Sequence, residues 1–392
     1  MVKLLTQMFG ERMIIANSSG CSSVWGGSYG LSPFRKNQHG QGPAWARSLF
    51  EDTAEYGMGM ALASKQRREN LTQTVDAFLK AEVAGTSTEL IAALERWRTP
   101  GVYDNADRCN DIYQSTLLPL LKDVEKEGDS LLARIAQSQD MFVPPSQWII
   151  GGDGWAYDIG FGGLDHVLGS GVNLNILVLD TEGYSNTGAQ ISKATPMGAV
   201  MKMASGGNVG RKKDLGAMAM MHEGAYVASV SMAADVNQTV KAFKEAEAYN
   251  GPSIIIAYAT CVDWGHRAGD KAMVQQMVDV VDSGYWPLYR YNPAKISDSS
   301  NGFELDNRRI SAKSMEKMLG EENRFTTLQR SSPEHATILL ASMYDTARER
   351  HEKRKRLAMD DEDLLDYLKK EIGEEVTGEQ ITVLYGSDNL HL

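Results

Sequence analysis

Four short apolar runs in the middle of the chain, each leading into a polar loop, constrain the fold most: residues 148–150, 175–179, 226–230 and 253–259. Runs of this length with no polar alternation suit strands buried on both faces. Helical stretches lie between them, at about residues 159–168, 212–221 and 238–248. Strands alternating with helices imply a parallel sheet with crossover connections, so the expected fold is α/β, an open doubly wound and mostly parallel sheet. Ligands of such sheets bind at the carboxyl ends of the strands, and that is where the polar loops fall.

The flanks are less regular. Residues 12–16 form another apolar run, which leaves through Asn17-Ser18-Ser19-Gly20-Cys21 as a buried strand leaves into a loop. From there to about Trp45 the chain is rich in Gly, Ser, Pro and Asn, and so long a loop in a compact domain is expected to be functional or ordered by a partner. Residues 51–80 and 87–136 have helical composition. Beyond Pro293, residues 332–372 read as long charged helix, with Arg348, Arg350, Lys353, Arg354, Lys355 and Arg356 followed by the acidic stretch 360–363. A docking surface is one reading of that charge; a solvated helical linker with i,i+4 pairing is the preferred one. Residues 380–392 return to an apolar strand, Ile381 to Tyr385, followed by Gly386-Ser387-Asp388. The expected division is a domain over 1–293, a charged helical extension over 294–379 and a terminal segment over 380–392.

A formal net charge of −11 argues against a nucleic-acid partner, which needs a concentrated cationic surface. It does not exclude small phosphates, which are held by a metal, backbone N–H groups and helix N-termini. No apolar run is long enough to span a bilayer and no secretory leader opens the chain, so a soluble protein is expected, cytoplasmic by default and organellar if an upstream portion carries a leader. Cys21, Cys109 and Cys261 are too few and scattered for a disulfide framework, and with no CxxC they cannot complete an iron–sulfur or zinc site alone. His166, His222 and His266 stand singly without zinc-ligand spacing, and His39 in the long loop is the one histidine kept as a minor site candidate.

Two strand ends carry the chemistry. Asp153 sits in a Gly152-Asp153-Gly154 turn, where glycines let the backbone close on a bulky anion. The next strand ends in Thr181-Glu182-Gly183-Tyr184-Ser185-Asn186. Asp153, the Thr181 hydroxyl and the Gly183 carbonyl offer three hard oxygens, and Mg²⁺ takes such ligands together with phosphate oxygens. Twenty-six residues, 155–180, separate Gly154 from Thr181. This spacing resembles the thiamine diphosphate (TPP) fingerprint, with Thr181 in the place of its Asn.

The runs GGDGWAYDIGFGGLDHVL, LDTEGYSNTGAQISKATPMGAV, KKDLGAMAM and PSIIIAYATC, with NSSGCSSVWGG and GPAWARSLFEDTAEYG upstream, resemble the C-terminal TPP-binding domain of the pyruvate:ferredoxin (flavodoxin) oxidoreductases over about residues 2–293. The resemblance implies that Gly152, Asp153, Gly154 and Trp155, with Thr181, Glu182, Gly183, Tyr184, Ser185 and Asn186, wrap the TPP diphosphate. It implies Mg²⁺ on Asp153, Thr181 and the Gly183 carbonyl. Asn186 would be the catalytic residue, orienting the pyruvate carboxylate. Cys21 and Cys261 would be two of four ligands of a 4Fe-4S cluster, Cys21 also lying beside TPP, while Cys109 would be structural.

The implied reaction is oxidative decarboxylation of pyruvate, with electrons leaving singly through iron–sulfur clusters and the acetyl group passing to coenzyme A; the cofactor carries the chemistry while the protein positions it. Family members have a CxxC pair just upstream of the residue matching Met1, and other domains that complete the site, so this chain alone is expected to be incomplete. The parent is expected to be a homodimer. The ending ITVLYGSDN resembles the first strand of a flavodoxin-like domain, which would imply FMN or FAD in a fused flavin reductase and a pyruvate:NADP⁺ oxidoreductase as parent; Asn389 stands there in place of a Thr. The alternatives are an oxidoreductase of another 2-oxo acid and a non-catalytic fragment or assembly module.

Overall fold

In the computed structural model the apolar runs become neighbouring strands whose side chains alternate between two cores. The structure describes residues 1–372 apart from 29, 82–85, 123, 125–129, 270, 298–299 and 308–309. The strand-like ending at 380–392 lies outside the described residues.

The strands are β1 (Met13–Asn17), β2 (Ala44–Arg47), β3 (Ser146–Gly152), β4 (Leu174–Asp180), β5 (Tyr226–Val230), β6 (Pro252–Tyr258), β7 (Tyr289–Ser297) and β8 (Ser300–Leu305). They form a sheet in the order β2-β1-β3-β4-β6-β5-β7-β8. The first six pair in parallel, while β7 and β8 join antiparallel at one edge. Strand periodicity sends Ile149, Ile176, Val178, Ile254 and Ile256 to one face, where the helices Thr53–Lys80 and Phe161–Gly169 cover them. Trp148, Ile150, Leu177, Ile255 and Ala257 go to the other, under the helices Val2–Phe9 and Val236–Ala248. Burying each of the larger side chains contributes about 1.5–3 kcal/mol. The doubly wound α/β expectation therefore holds.

A third apolar cluster joins the far half of the helix Thr53–Lys80 to the helices Thr88–Arg98 and Ala106–Ile112 around Trp97 and Phe142. Cys109 is buried there beside the Arg68 guanidinium, as expected of a structural cysteine.

Three expectations are corrected. The stretch from 17 to 45 is not all loop: it contains the helix Cys21–Gly27 and leads into β2, an edge strand whose half-exposed AWAR pattern carries little periodic signal. The boundary expected at residue 293 falls inside β7, which pairs with β5 of the same sheet. The charged extension is not a solvated linker. Its helices Ala312–Glu321, Asn323–Ser331 and Pro333–Leu357 bring Met315, Met318, Phe325, Leu328, Leu339 and Met343 into the first core. Arg354 is buried through pairing with Asp214, so a charge that reads as solvent-facing is held inside by its partner. The helix also breaks after Leu357 and resumes as Asp361–Ile372. No helix among the described residues is long and apolar enough to cross a membrane.

Candidate functional site

β3 and β4 are adjacent and parallel, so their carboxyl ends deliver Asp153 and Thr181 side by side. The Asp153 carboxylate is buried; its Oδ1 accepts from the Thr181 backbone N–H at 3.1 Å and the Thr181 hydroxyl at 3.0 Å, and its Oδ2 accepts from Ser192 Oγ at 2.6 Å. Thr181 Oγ1 also lies 3.4 Å from the Gly183 carbonyl and 3.1 Å from Ser185 Oγ. The three expected oxygen donors thus converge, with Ser185 added. Burial, and then the neighbouring Asp180 carboxylate, push the Asp153 carboxyl up to about 7.

Among the described residues no group of three or more His, Cys, Asp or Glu is placed to hold a metal. A site here rests instead on one carboxylate, hydroxyls and a carbonyl, a set that suits Mg²⁺ sharing its shell with phosphates and does not suit zinc.

The remaining expected residues divide by what their side chains do. Tyr184 donates from its hydroxyl to the Gly154 carbonyl at 3.1 Å, and its ring lies so close over Gly154 that a Cβ there would meet it, so this glycine is the joint between the two loops. A Cβ at Gly152 would make only an ordinary contact, 3.9 Å from the Leu179 carbonyl. Trp155 is buried with its ring against Gly151 and Gly160, so its side chain packs beneath the turn and only its backbone belongs to the loop. Glu182 points away from Asp153: its carboxylate accepts from Lys212 Nζ at 2.9 Å, from Arg324 at 2.6 Å and from the Tyr285 hydroxyl. Burial alone would raise its pKa, but Lys212 and Arg324 carry it below the ordinary value.

Cys21 and Cys261 flank the same loop from two sides. Cys21 Sγ lies 3.9 Å from Asn186 Oδ1, and Cys261 Sγ lies 3.2 Å from Ser185 Oγ. Cys21 opens the helix after β1, and Cys261 follows β6, so three strand ends meet around residues 185–186. Burial raises both thiols above their ordinary value. His39 is exposed and meets Gln38 instead of the Asp153 cluster, and His222 pairs with Asp165 at 2.8 Å.

Sequence reasoning missed Ser192, Lys212, Trp264 and Arg324. Trp264 Nε1 donates to the Thr181 carbonyl at 3.0 Å, and Lys212 spans Asp180 at 2.8 Å and Glu182. Lys212 opens one of the quoted runs, a signal that was available. Arg324 reaches the loop from a segment read as linker, and nothing local marks it.

Residues 141–257 match the family model described as thiamine pyrophosphate enzyme, C-terminal TPP binding domain. The chain is 45% identical over 389 residues to the mitochondrial pyruvate dehydrogenase [NADP(+)] of Euglena gracilis, covering 99% of this chain and 21% of that protein. It is 49% identical over 360 residues to the pyruvate:ferredoxin oxidoreductase of Moorella thermoacetica, covering 91% and 30%. It is 45% identical over 361 residues to the pyruvate-flavodoxin oxidoreductase of Klebsiella pneumoniae, again covering 91% and 30%. The chain therefore spans 21% to 30% of the length of these relatives. A solved 2-oxoglutarate:ferredoxin oxidoreductase from Magnetococcus marinus overlaps with a TM-score of 0.38 at 12% identity, over 67% of this chain and 59% of that one, too loosely to bear on function. Residues 141–257 thus resemble the C-terminal TPP-binding domain of thiamine pyrophosphate enzymes, in a chain similar over nearly its whole length to one portion of the pyruvate oxidoreductases.

Proposed function

We propose that this chain forms the TPP- and Mg²⁺-binding part of an enzyme that oxidatively decarboxylates pyruvate to CO₂ and acetyl-coenzyme A. The observation that carries the reading is the buried Asp153 carboxylate, drawn together with the Thr181 hydroxyl and the Gly183 carbonyl across two adjacent strand ends. When bound, TPP supplies the nucleophilic carbon and the electron sink for decarboxylation. Asp153, Thr181 and the Gly183 carbonyl hold the metal, while Gly152, Gly154 and the backbone of Trp155 close on the diphosphate. Ser192 orients Asp153 through its 2.6 Å hydrogen bond. Asn186, at the end of the loop, orients the carboxylate of the substrate.

Cys21 and Cys261, which flank the loop, would be two thiolate ligands of a 4Fe-4S cluster in the complete enzyme, and such a cluster would supply one-electron transfer toward ferredoxin or flavodoxin. NADP⁺ through a flavin reductase is the second reading, favoured by the Euglena gracilis relative, whose match covers 99% of the chain against 91% for the ferredoxin and flavodoxin enzymes.

Calorimetric titration of the chain with TPP, with and without Mg²⁺, tests the reading. Binding that requires Mg²⁺ and is lost in Asp153→Ala supports it. Binding indifferent to both changes refutes the metal site, and no binding by the parent chain removes the claim that this portion holds the cofactor by itself.

A further inference from the structure

We infer that Arg324 and Glu182 form a buried latch that positions the diphosphate loop, making the helical segment after β8 a working part of the cofactor site. The inference rests on the proposed function, in which Thr181 and Gly183 face the cofactor.

Glu182 lies between those two residues and has a left-handed backbone, φ +56°, a conformation that a non-glycine residue keeps only where its surroundings over-determine it. Here they do. Its N–H donates to Asp180 Oδ1 at 3.0 Å and its carbonyl accepts from Thr195 Oγ1 at 2.8 Å. Its carboxylate is closed off by Lys212, Tyr285 and Arg324. With residue 182 turned inward, its two neighbours are presented toward Asp153, and the Thr181 hydroxyl stands 3.4 Å from the Gly183 carbonyl.

Arg324 holds the loop twice. One nitrogen meets Glu182 at 2.6 Å. The guanidinium also stacks 4.0 Å from the centroid of the Trp264 ring, and the indole N–H of Trp264 donates to the Thr181 carbonyl at 3.0 Å. The same arginine pairs with Glu322, and its own carbonyl accepts from Val200 N–H at 2.7 Å, which fixes it against the segment that follows the loop. A planar, permanently charged fork suits this double duty better than an ammonium does. Arg324 and Glu182 are positioning residues: both are buried and act through Thr181 and Gly183.

The test compares the parent chain with Arg324→Met, Arg324→Lys and the double variant Glu182→Gln/Arg324→Met, which removes both buried charges and so guards against a misfolded single variant. The readouts are the TPP affinity, the Mg²⁺ concentration needed for half-maximal TPP binding, and amide hydrogen exchange of residues 181–186. The latch predicts at least tenfold weaker TPP binding and a higher Mg²⁺ requirement in Arg324→Met, partial recovery in Arg324→Lys, and faster exchange in the loop with the sheet still protected. A folded Arg324→Met or double variant whose TPP affinity and Mg²⁺ midpoint stay within twofold of the parent overturns it. If the parent chain binds no TPP, the proposed function fails at its own test and exchange decides the latch: loop amides that open no faster without Arg324 refute it, and loop amides that open faster support it.

Discussion

Arg354 donates two hydrogen bonds of 2.9 Å to Asp214, joining the helix Pro333–Leu357 to the N-cap of the helix Leu215–Met220. Asp214 Oδ1 also accepts from the Ala217 N–H at 3.1 Å, so one carboxylate caps one helix and anchors another. Burial would raise this carboxyl, but Arg354 and Arg350 bring it down to about 2 from an ordinary value of 3.8. A folded-state pKa below the unfolded one contributes stability that is present above the unfolded value and is lost as pH falls through the folded value.

Asp214→Asn is therefore expected to cost about 1–2 kcal/mol at pH 7, reduced from the full shift because part of the carboxylate stays wet. The deficit should shrink between about pH 4 and pH 2, where the parent loses the same interaction. Urea denaturation midpoints of the two proteins across that range check it. Equal midpoints at pH 7 would mean that the helix is anchored by its apolar face alone.

Gly154→Ala places a Cβ into the Tyr184 ring and separates the two loops that Tyr184 joins. TPP binding in the presence of Mg²⁺ should weaken at least tenfold, or about 1.4 kcal/mol. Gly152→Ala has room in the fold, so its urea midpoint should stay close to the parent value. An affinity loss at residue 152 without a stability loss would place the ligand against that backbone.

How much of this was legible from sequence depended on whether the signal was local. β3, β4, β5 and β6 announced themselves as apolar runs because strands buried on both faces leave no polar alternation to confuse the reading. Asp153 and Thr181 were legible for a related reason, since adjacent parallel strands bring their carboxyl ends together whatever the connecting helices contain. Arg324 was not: it meets Glu182 across 142 positions, and a lone arginine in a charged helix carries no mark of its partner. Glu182 misled in the opposite direction, because its place between two loop contacts suggested the ligand while its backbone turns it inward. The extension past β8 was misread because its buried face is spaced thinly among charges that other parts of the chain neutralise.

The three cysteines should separate by alkylation rate. Cys21 is exposed, Cys261 is buried at 8% exposure and Cys109 is sealed at 0%. All three thiols are raised by burial, which lowers the reactive thiolate fraction below the few per cent of a free cysteine at neutral pH. In native protein treated with iodoacetamide, Cys21 should modify more slowly than a free thiol, Cys261 more slowly again, and Cys109 only after denaturation. Mass spectrometry over time reads the order. Cys261 reacting as fast as Cys21 would show that the wall between it and solvent opens readily.

Asp153→Asn should divide stability from function. The Asp153 carboxylate is buried, and among the described residues its hydrogen-bond donors are the hydroxyls of Thr181 and Ser192 and the Thr181 amide, so an ionised group there costs free energy that a neutral amide does not. The amide keeps an oxygen to accept from Thr181 while its NH₂ loses the match to Ser192, a cost of about 1–3 kcal/mol that offsets part of the gain. The cofactor-free variant is expected within about 1 kcal/mol of the parent or above it, whereas Mg²⁺-dependent TPP binding should be lost. Paired urea denaturation and TPP titration measure both. A variant destabilised by more than about 3 kcal/mol would make Asp153 a structural tie between β3 and β4, and TPP binding that still required Mg²⁺ would move the metal to other oxygens.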